Sequence, residues 1–447
     1  MRYDNRTRYN NIAKEMKKLG ELSLLGEKGW IVNMKEKEQA VREMLKKHGQ
    51  EQLLACYTKM DKNKQEKLLD EILTIDFPQI EKLYGKSIQK EVISSASIEP
   101  ISYIEKDKIE QEEKQKLLET GEKLIKEGKY AVVTMAGGQG TRLGHNGPKG
   151  TYDLGLESHK SIFEILCDTL KEAQRQYGVY VPWYIMTSRQ NHTETVEFFE
   201  KHSYFGYPKQ DVFFFMQGEL PVVNEKGKIL LNTEGLVNQA ADGHGGIFVS
   251  MRKNGVIYDM KARGIQWAFI GGVDNVLAKM VDPILVGLCM EKKVLAGGKS
   301  VVKACPEERV GVFCRRNGRP SVVEYTEISK EMSEEREENG ELKYGESHIL
   351  CNIFHIDAIE EISKDKLPYH SAHKKIEYMD SQGNIVKPTE PNAYKYEAFL
   401  FDAFESLEDM AIMRVKREEE FAPVKNATGV DSPETARKLY KAFHGIE

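Results

Sequence analysis

A lysine, an arginine and a run of glycines are set out along AVVTMAGGQGTRLGHNGPKG, residues 131–150, with Arg142 and Lys149 interleaved among Gly137, Gly138, Gly140, Gly144, Gly147 and Gly150. Glycine lets a chain turn sharply and bring its N–H groups close to an anion, so a glycine-rich loop after an apolar strand can cradle phosphate oxygens. The same loop also reads as an ordinary strand-to-helix turn. Two familiar phosphate motifs do not fit it. A dinucleotide fingerprint needs a glycine or alanine where Leu143 follows Gly138 and Gly140, and a P-loop needs Gly-Lys-Ser/Thr where Pro148, Lys149 and Gly150 stand. Arg142 and Lys149 are two fixed cations that could meet a triphosphate whose inner groups rest on backbone amides. That arrangement suits nucleotidyl transfer, in which a protein aligns the attacking oxygen and offsets developing charge, normally with Mg²⁺. The metal requires a carboxylate. Asp274, in AFIGGVDNVLAK after an apolar strand, is the candidate, and a helix cap is its other reading.

The elements around these residues set where they sit. From Ala131 the chain alternates: the strand AVVTMA, the glycine loop, a helix with Ile162, Ile165, Leu166 and Ala173 on one face, the apolar run VYVPWYIMTS, a helix over about 192–202 and the strand DVFFFMQ. Such alternation predicts an α/β fold with a parallel sheet covered by helices on both faces, and ligands of these sheets lie at the carboxyl ends of the strands. The glycine loop is at such an end. Before it, the chain to about residue 92 is charged and helical in pattern, SSASIEP (94–100) reads as a linker, and a charged helix is expected over roughly 106–127. After it, EISKEMSEEREENGE (327–341) reads as solvated surface, and Ser432 before Pro433 marks the start of a helix through about His444.

Composition narrows the function classes. The 65 basic and 70 acidic residues leave a formal net charge of -5, so no bulk field favours nucleic acid or an anionic membrane, and any anion must be held locally. The first twenty residues lack the apolar core of a signal peptide and no apolar run reaches membrane-spanning length, which points to a cytoplasmic address. Six cysteines without a CxxC pair or zinc spacing suit reduced, mostly buried thiols.

The run GGQGTRLGHNGPKGTYDLGLESHKSIFEIL resembles the signature of the eukaryotic-type UDP-N-acetylhexosamine pyrophosphorylases, which make UDP-sugars from UTP and a sugar 1-phosphate. WYIMTSRQNHTETVEFFEKHSYFGY, FFFMQGELP, VDNVLAK, VVEYTEIS, LPYHSAHKKIEYMDSQGNIVKP and REEEFAPVKNA are similar to further blocks of that family in the same order. The resemblance implies a Rossmann-like nucleotide-sugar fold with a mixed, mostly parallel central sheet: an N-terminal helical domain over 1–100, a central nucleotidyltransferase domain over 101–388 and a C-terminal portion over 389–447. It also implies roles. Met135, Ala136, Gly137 and Gly138 would hold the nucleotide, with Gln217 and Gly243 against the uracil. Arg142 and Lys149 would face the UTP phosphates, Asp274 would bind Mg²⁺, and Lys395 and Lys425 would reach phosphate groups. Gly311, Glu324 and Asn352 would form the sugar site. The implied reaction is direct in-line attack of the sugar phosphate on the α-phosphorus of UTP, giving UDP-N-acetylglucosamine and pyrophosphate. No histidine nucleophile is implied, so His244 and His348 are expected to bind or pack.

Two departures from the family pattern stand out. ADGHGG (241–246) carries His244 where the N-acetylhexosamine enzymes have asparagine beside the sugar. Imidazole replaces one amide donor but not the paired donor and acceptor, which keeps glucose 1-phosphate, or a broad sugar range, as the alternative substrate. The relatives also continue past KNATGVDSPETARKLY, so the C-terminal portion is expected to be shortened and the oligomeric state is left open. A nucleotide-sugar-binding protein without catalysis is the remaining alternative. Retention of Arg142, Lys149, Asp274, Lys395 and Lys425 argues against it.

Overall fold

The computed structural model describes residues 34–89 and 98–446. The signal-peptide reading of the first twenty residues and most of the linker reading of 94–100 fall outside them. Seven of the eleven strands of the central sheet position the site: β1 (Tyr130–Met135), β2 (Trp183–Thr187), β3 (Val212–Met216), β4 (Trp267–Gly272), β5 (Ala296–Val302), β6 (Glu346–His355) and β7 (Ala411–Arg414). They lie in the order β7-β5-β6-β4-β1-β2-β3. β1 pairs parallel with β2 and β4, β2 with β3, and β5 with β7, while β6 runs antiparallel to both β4 and β5. This is the mixed, mostly parallel sheet that the resemblance implies; the alternating pattern predicts its parallel part and not the antiparallel β6.

Every residue of β1 and β2 is buried, as an interior strand flanked by helices on both faces requires. Where a polar group enters this interior it finds a partner: the Trp183 indole N–H donates to Thr134 Oγ1 at 2.8 Å. The helices Gln111–Lys126, Ile162–Tyr177 and Pro283–Lys292 cover one face through a core that includes Leu117, Ile162, Leu166 and Leu285. The helices Ile247–Lys253, Val256–Ala262 and Ile356–Ile362 cover the other through Ile247, Met251, Met260 and Ile359. Ser161 caps its helix through the Glu164 N–H, and Gly178 closes it in the left-handed conformation.

Some boundaries differ from those expected. The charged helix starts at Gln111, because Lys106–Lys108 forms a separate turn whose Lys106 reaches into a buried acidic cluster. Ile98–Pro100, expected as linker, is a short strand paired with Val312–Arg316. The C-terminal helix spans Pro433–His444 with Ser432 as its cap, and the acidic stretch holds only a five-residue helix, Lys330–Glu334, with no buried residue. The N-terminal helices Met34–Lys47, Lys62–Leu73 and Phe77–Ser87 share their core with distant segments. Leu45, Leu69 and Ile80 are clustered with Leu220, Ile229, Leu236, Val237 and Tyr396. The chain beyond residue 389 likewise contributes β7 to the central sheet and Ala393–Glu397 to a smaller one.

Candidate active site

A cleft of about 300 Å³ opens at the carboxyl ends of β1, β2 and β4, walled by Met135, Gly137, Gly138, Lys149, Gln217, Gly243, His244 and Asp274, with Met186, Leu350 and Glu397 beside them. Parallel strands end here together. The Ala136 N–H donates to Met186 O at 2.7 Å, the Gln217 N–H to Thr187 O at 2.8 Å and the Val273 N–H to Met135 O at 3.1 Å, so the segments leaving the strands stay in register as they enter the cleft.

The glycine loop is closed on itself. Gly140 N–H donates to Gly147 O at 2.9 Å and Lys149 N–H to Gly138 O at 3.1 Å, with Gln139 and Pro148 bridged between them. That closure brings Lys149 back over the strand end, where its Nζ lies 3.6 Å from Asp274 Oδ2. No helix begins at Asp274, so its helix-cap reading is not realised. A Cβ on Gly137 would come within 2.7 Å of Gln217 Oε1, the mobile end of that side chain, so a larger residue there would displace the Gln217 amide. Gly243 is held to glycine more strictly, with φ at +84° and a Cβ position 2.3 Å from the backbone oxygen of Ala398.

Among the described residues no group of three or more His, Cys, Asp or Glu side chains is arranged to hold a metal. Of the two carboxylates in the cleft lining, Asp274 and Glu397, it is Asp274 that stands beside Lys149. This donor set fits Mg²⁺, which keeps water and takes one or two carboxylates together with substrate phosphates.

A chain of neighbouring side chains runs inward from His244. The Leu400 N–H donates to His244 Nδ1 at 3.0 Å, which assigns the proton of the neutral ring to Nε2. Burial pushes the pKa of His244 down to about 4, so the ring is neutral at pH 7. Phe401 lies between the two histidines, with ring centroids 6.2 Å from His244 and 6.0 Å from His348. His348, held to about 3 by burial, pairs through Nε2 with Asn352 Oδ1 at 3.2 Å, and its backbone N–H donates to Gly311 O at 2.9 Å. A Cβ on Gly311 would meet Glu324 Oε1 at 3.2 Å. Gly311, Glu324 and Asn352 are thus neighbours. Asn352 is fully buried and its Nδ2 has no protein partner, as a donor kept for a ligand would be.

The lysines assigned by resemblance, Lys395 and Lys425, stand on the C-terminal segment and, like Arg142, are not part of the cleft lining. Lys395 shares a strand face with Glu397 of the cleft wall. Lys425 pairs with Asp431 at 3.5 Å and lies over the Phe421 ring at 5.4 Å. Arg142 is exposed on the turn Thr141–Leu143, outside the cleft lining, and Ala136 is buried with its N–H and C=O both engaged within the protein.

Residues 77–432 match the family profile described as UTP–glucose-1-phosphate uridylyltransferase. The chain belongs to that uridylyltransferase family. Relatives include UDP-N-acetylglucosamine diphosphorylase 2 of Arabidopsis thaliana, 38% identical over 91% of this chain and 84% of that protein. The UDP-N-acetylglucosamine pyrophosphorylase of Saccharomyces cerevisiae is 39% identical over 72% of this chain and 70% of its own length. Among solved structures, the uridine diphosphate N-acetylglucosamine pyrophosphorylase of Trypanosoma brucei, in complex with an inhibitor, superposes with a TM-score of 0.78 at 30% identity, covering 94% of this chain and 85% of that one.

Two features of this uridylyltransferase escape sequence reasoning. Asn191 stands before the helix His192–Lys201, and its side chain makes no cap bond to it. It is fully buried, accepts from Ser188 N–H at 2.8 Å and donates to Ala136 O at 2.9 Å, which fixes the start of the glycine loop. The only signal was its position after a parallel strand, where sites of this fold gather. The second is Asp242, whose carboxylate is wedged against Gly218 and Gly246 with Oδ1 unpartnered. Burial raises its pKa from an ordinary 3.8 to about 6. A raised folded pKa contributes stability that is complete below the unfolded value and lost as pH rises through the folded one. In thermal unfolding, the stability of Asp242→Asn relative to wild type therefore increases by about 3 kcal/mol between pH 3.5 and pH 7. A difference that stays flat with pH contradicts this account of Asp242.

Proposed function

We propose that the chain is a uridylyltransferase forming UDP-N-acetylglucosamine and pyrophosphate from UTP and N-acetylglucosamine 1-phosphate. The observation that carries the chemistry is the meeting of Lys149 and Asp274 at 3.6 Å, one from the loop after β1 and the other after β4, beside a glycine-lined cleft. Similarity over most of the chain to proteins named for UDP-N-acetylglucosamine supports the substrate class.

In this reading the Gln217 amide, set against Gly137, donates to and accepts from the uracil edge, while the loop amides and Lys149 take the phosphates. Asp274 holds Mg²⁺, which when bound offsets negative charge on the phosphates. Lys395 and Lys425 approach the attacking and leaving phosphate groups, and the sugar occupies the pocket from His244 to Asn352 and Glu324. No covalent intermediate on the protein is required, because the sugar phosphate is itself the nucleophile. His348 is buried and His244 half-buried, and both rings are neutral at pH 7, so they serve as fixed donors and walls. Six unpaired cysteines and the lack, among the described residues, of a helix able to cross a membrane support action in the cytoplasm.

The second reading, glucose 1-phosphate, is favoured by His244 alone, whose Nε2–H offers one donor and no acceptor toward the sugar. Pyrophosphate release from UTP and Mg²⁺ with each sugar phosphate in turn separates the readings. A higher kcat/KM for the N-acetylated sugar is expected. Preference for glucose 1-phosphate would replace this reading with the second, and no release with either would leave a binding protein. His244→Asn restores a donor and an acceptor, and is expected to raise the N-acetylglucosamine-to-glucose ratio of kcat/KM by about tenfold. An unchanged ratio removes His244 from the sugar pocket.

A further inference from the structure

The turn after β4 and the segment leading to Lys425 are joined by one side chain. Asn275 and Pro423 face each other in an antiparallel bridge, flanked by Val424 N–H to Asp274 O at 2.9 Å and Val276 N–H to Ala422 O at 3.2 Å. Proline has no N–H to contribute at its own position. The Asn275 amide binds the segment on the near side of that gap: its Nδ2–H donates to Glu420 O at 2.8 Å and its Oδ1 accepts from Ala422 N–H at 2.9 Å. A side-chain amide offers a donor and an acceptor from one short planar group. Asn275 is buried, 3% exposed, and points away from the cleft, while its neighbour Asp274 lines it.

The anchor on the far side is itself fixed. The Glu420 carboxylate sits with Asp282 among Lys106 and Lys299. Lys106 lies 2.6 Å from Glu420 and 3.0 Å from Asp282, and Lys299 pairs with both carboxylates. Lys299 is fully enclosed, and its Nζ also donates to Lys279 O at 3.2 Å. A buried, mutually compensated ion cluster holds one geometry because each charge depends on the others. Its position passes through Glu420 and Asn275 to Asp274 on one strand of the bridge, and through Ala422 and Val424 to Lys425 on the other.

We propose that Asn275 is a positioning residue for uridylyl transfer, setting the separation between the metal-binding Asp274 and the phosphate-binding Lys425 without touching substrate. This inference rests on the uridylyl-transfer reading. Asn275→Ala is expected to lower kcat about 10–100-fold, the usual range for groups that orient a metal ligand, with KM for UTP within about threefold of wild type. A residue acting only on overall stability would change the active fraction and Tm, and the two kinetic parameters would not divide in this way.

Two further measurements decide the matter. In a double-mutant cycle with Lys425→Ala, the kcat loss from Asn275→Ala is expected to shrink to threefold or less, because the partner it positions is gone. Mn²⁺ titration of the UTP complex, followed by electron paramagnetic resonance, is expected to show about tenfold weaker binding in Asn275→Ala. If the alanine variant does not fold, the isosteric Asn275→Asp, which keeps the acceptor for Ala422 and loses the donor to Glu420, takes its place in both experiments. Unchanged kcat, equal losses in the two backgrounds, or unchanged Mn²⁺ affinity overturns the proposal. If the wild-type chain releases no pyrophosphate, the function reading fails by itself, and the Mn²⁺ titration still tests Asn275.

Discussion

Replacing Asp274 with asparagine lowers kcat for UTP-dependent pyrophosphate release by about a thousandfold or more at fixed Mg²⁺, the scale expected when a single electrostatic anchor is removed from a site that works by charge placement. Among the described residues Asp274 is the carboxylate that pairs with Lys149 in the cleft. The expected signature is a Mg²⁺ dependence that keeps rising where the wild type has saturated, because the ion is then held by substrate oxygens alone. Asparagine preserves shape and hydrogen bonding, so the thermal midpoint should move little. A variant that keeps more than about a tenth of wild-type kcat, with an unshifted Mg²⁺ curve, would falsify the assignment of Asp274 to the metal, the losses attributed to such groups being far larger.

Lys149→Ala carries the second large effect, a fall of about 100–1,000-fold in kcat with little change in KM for the sugar phosphate. In the unliganded protein Lys149 and Asp274 are each about one-fifth exposed and face each other at 3.6 Å. A pair so placed contributes roughly 0–1 kcal/mol to stability, so the activity loss is not an unfolding effect. Lys149→Arg should recover little. The lysine reaches the site as a compact point charge from a loop closed by Gly140–Gly147 and Gly138–Lys149 hydrogen bonds, and a planar guanidinium needs a wider approach. Pre-steady-state release of pyrophosphate from the variant checks whether the chemical step, rather than product release, has slowed. A burst of wild-type rate followed by slow turnover would place Lys149 in release instead.

The fold was legible because its signals are local. Strands as apolar as Tyr130–Met135 and Trp183–Thr187, separated by helical patterns, leave few arrangements other than a covered parallel sheet. Ser432 and Pro433 declare a helix start by chemistry that needs no tertiary context. What depended on distant contacts was not legible. Lys106 reads as part of a charged helix, and leaves it because Asp282 and Glu420 lie within reach only after folding. Asn191 is drawn back to the carbonyl of Ala136, 55 residues earlier, a contact that no local pattern announces. The cleft residues Gly137, Lys149, Gln217 and Asp274 were found through motif and resemblance. The antiparallel β6, which brings His348 and Asn352 beside His244, has no counterpart in any short sequence pattern.

The shared core of the N-terminal helices bears on how the chain must be made. Leu45, Leu69 and Ile80 find their packing partners at Leu220–Val237 and at Tyr396, far downstream. At roughly 5–20 residues per second of synthesis, the first of those partners follows the third helix by about seven to twenty-seven seconds, and Tyr396 later still. Through that interval the helices can pack only against one another, and the part of their apolar stripes that the later segments cover stays exposed. The nascent chain therefore offers a sticky surface while it is still on the ribosome, and its earliest segment is among the last to reach native packing.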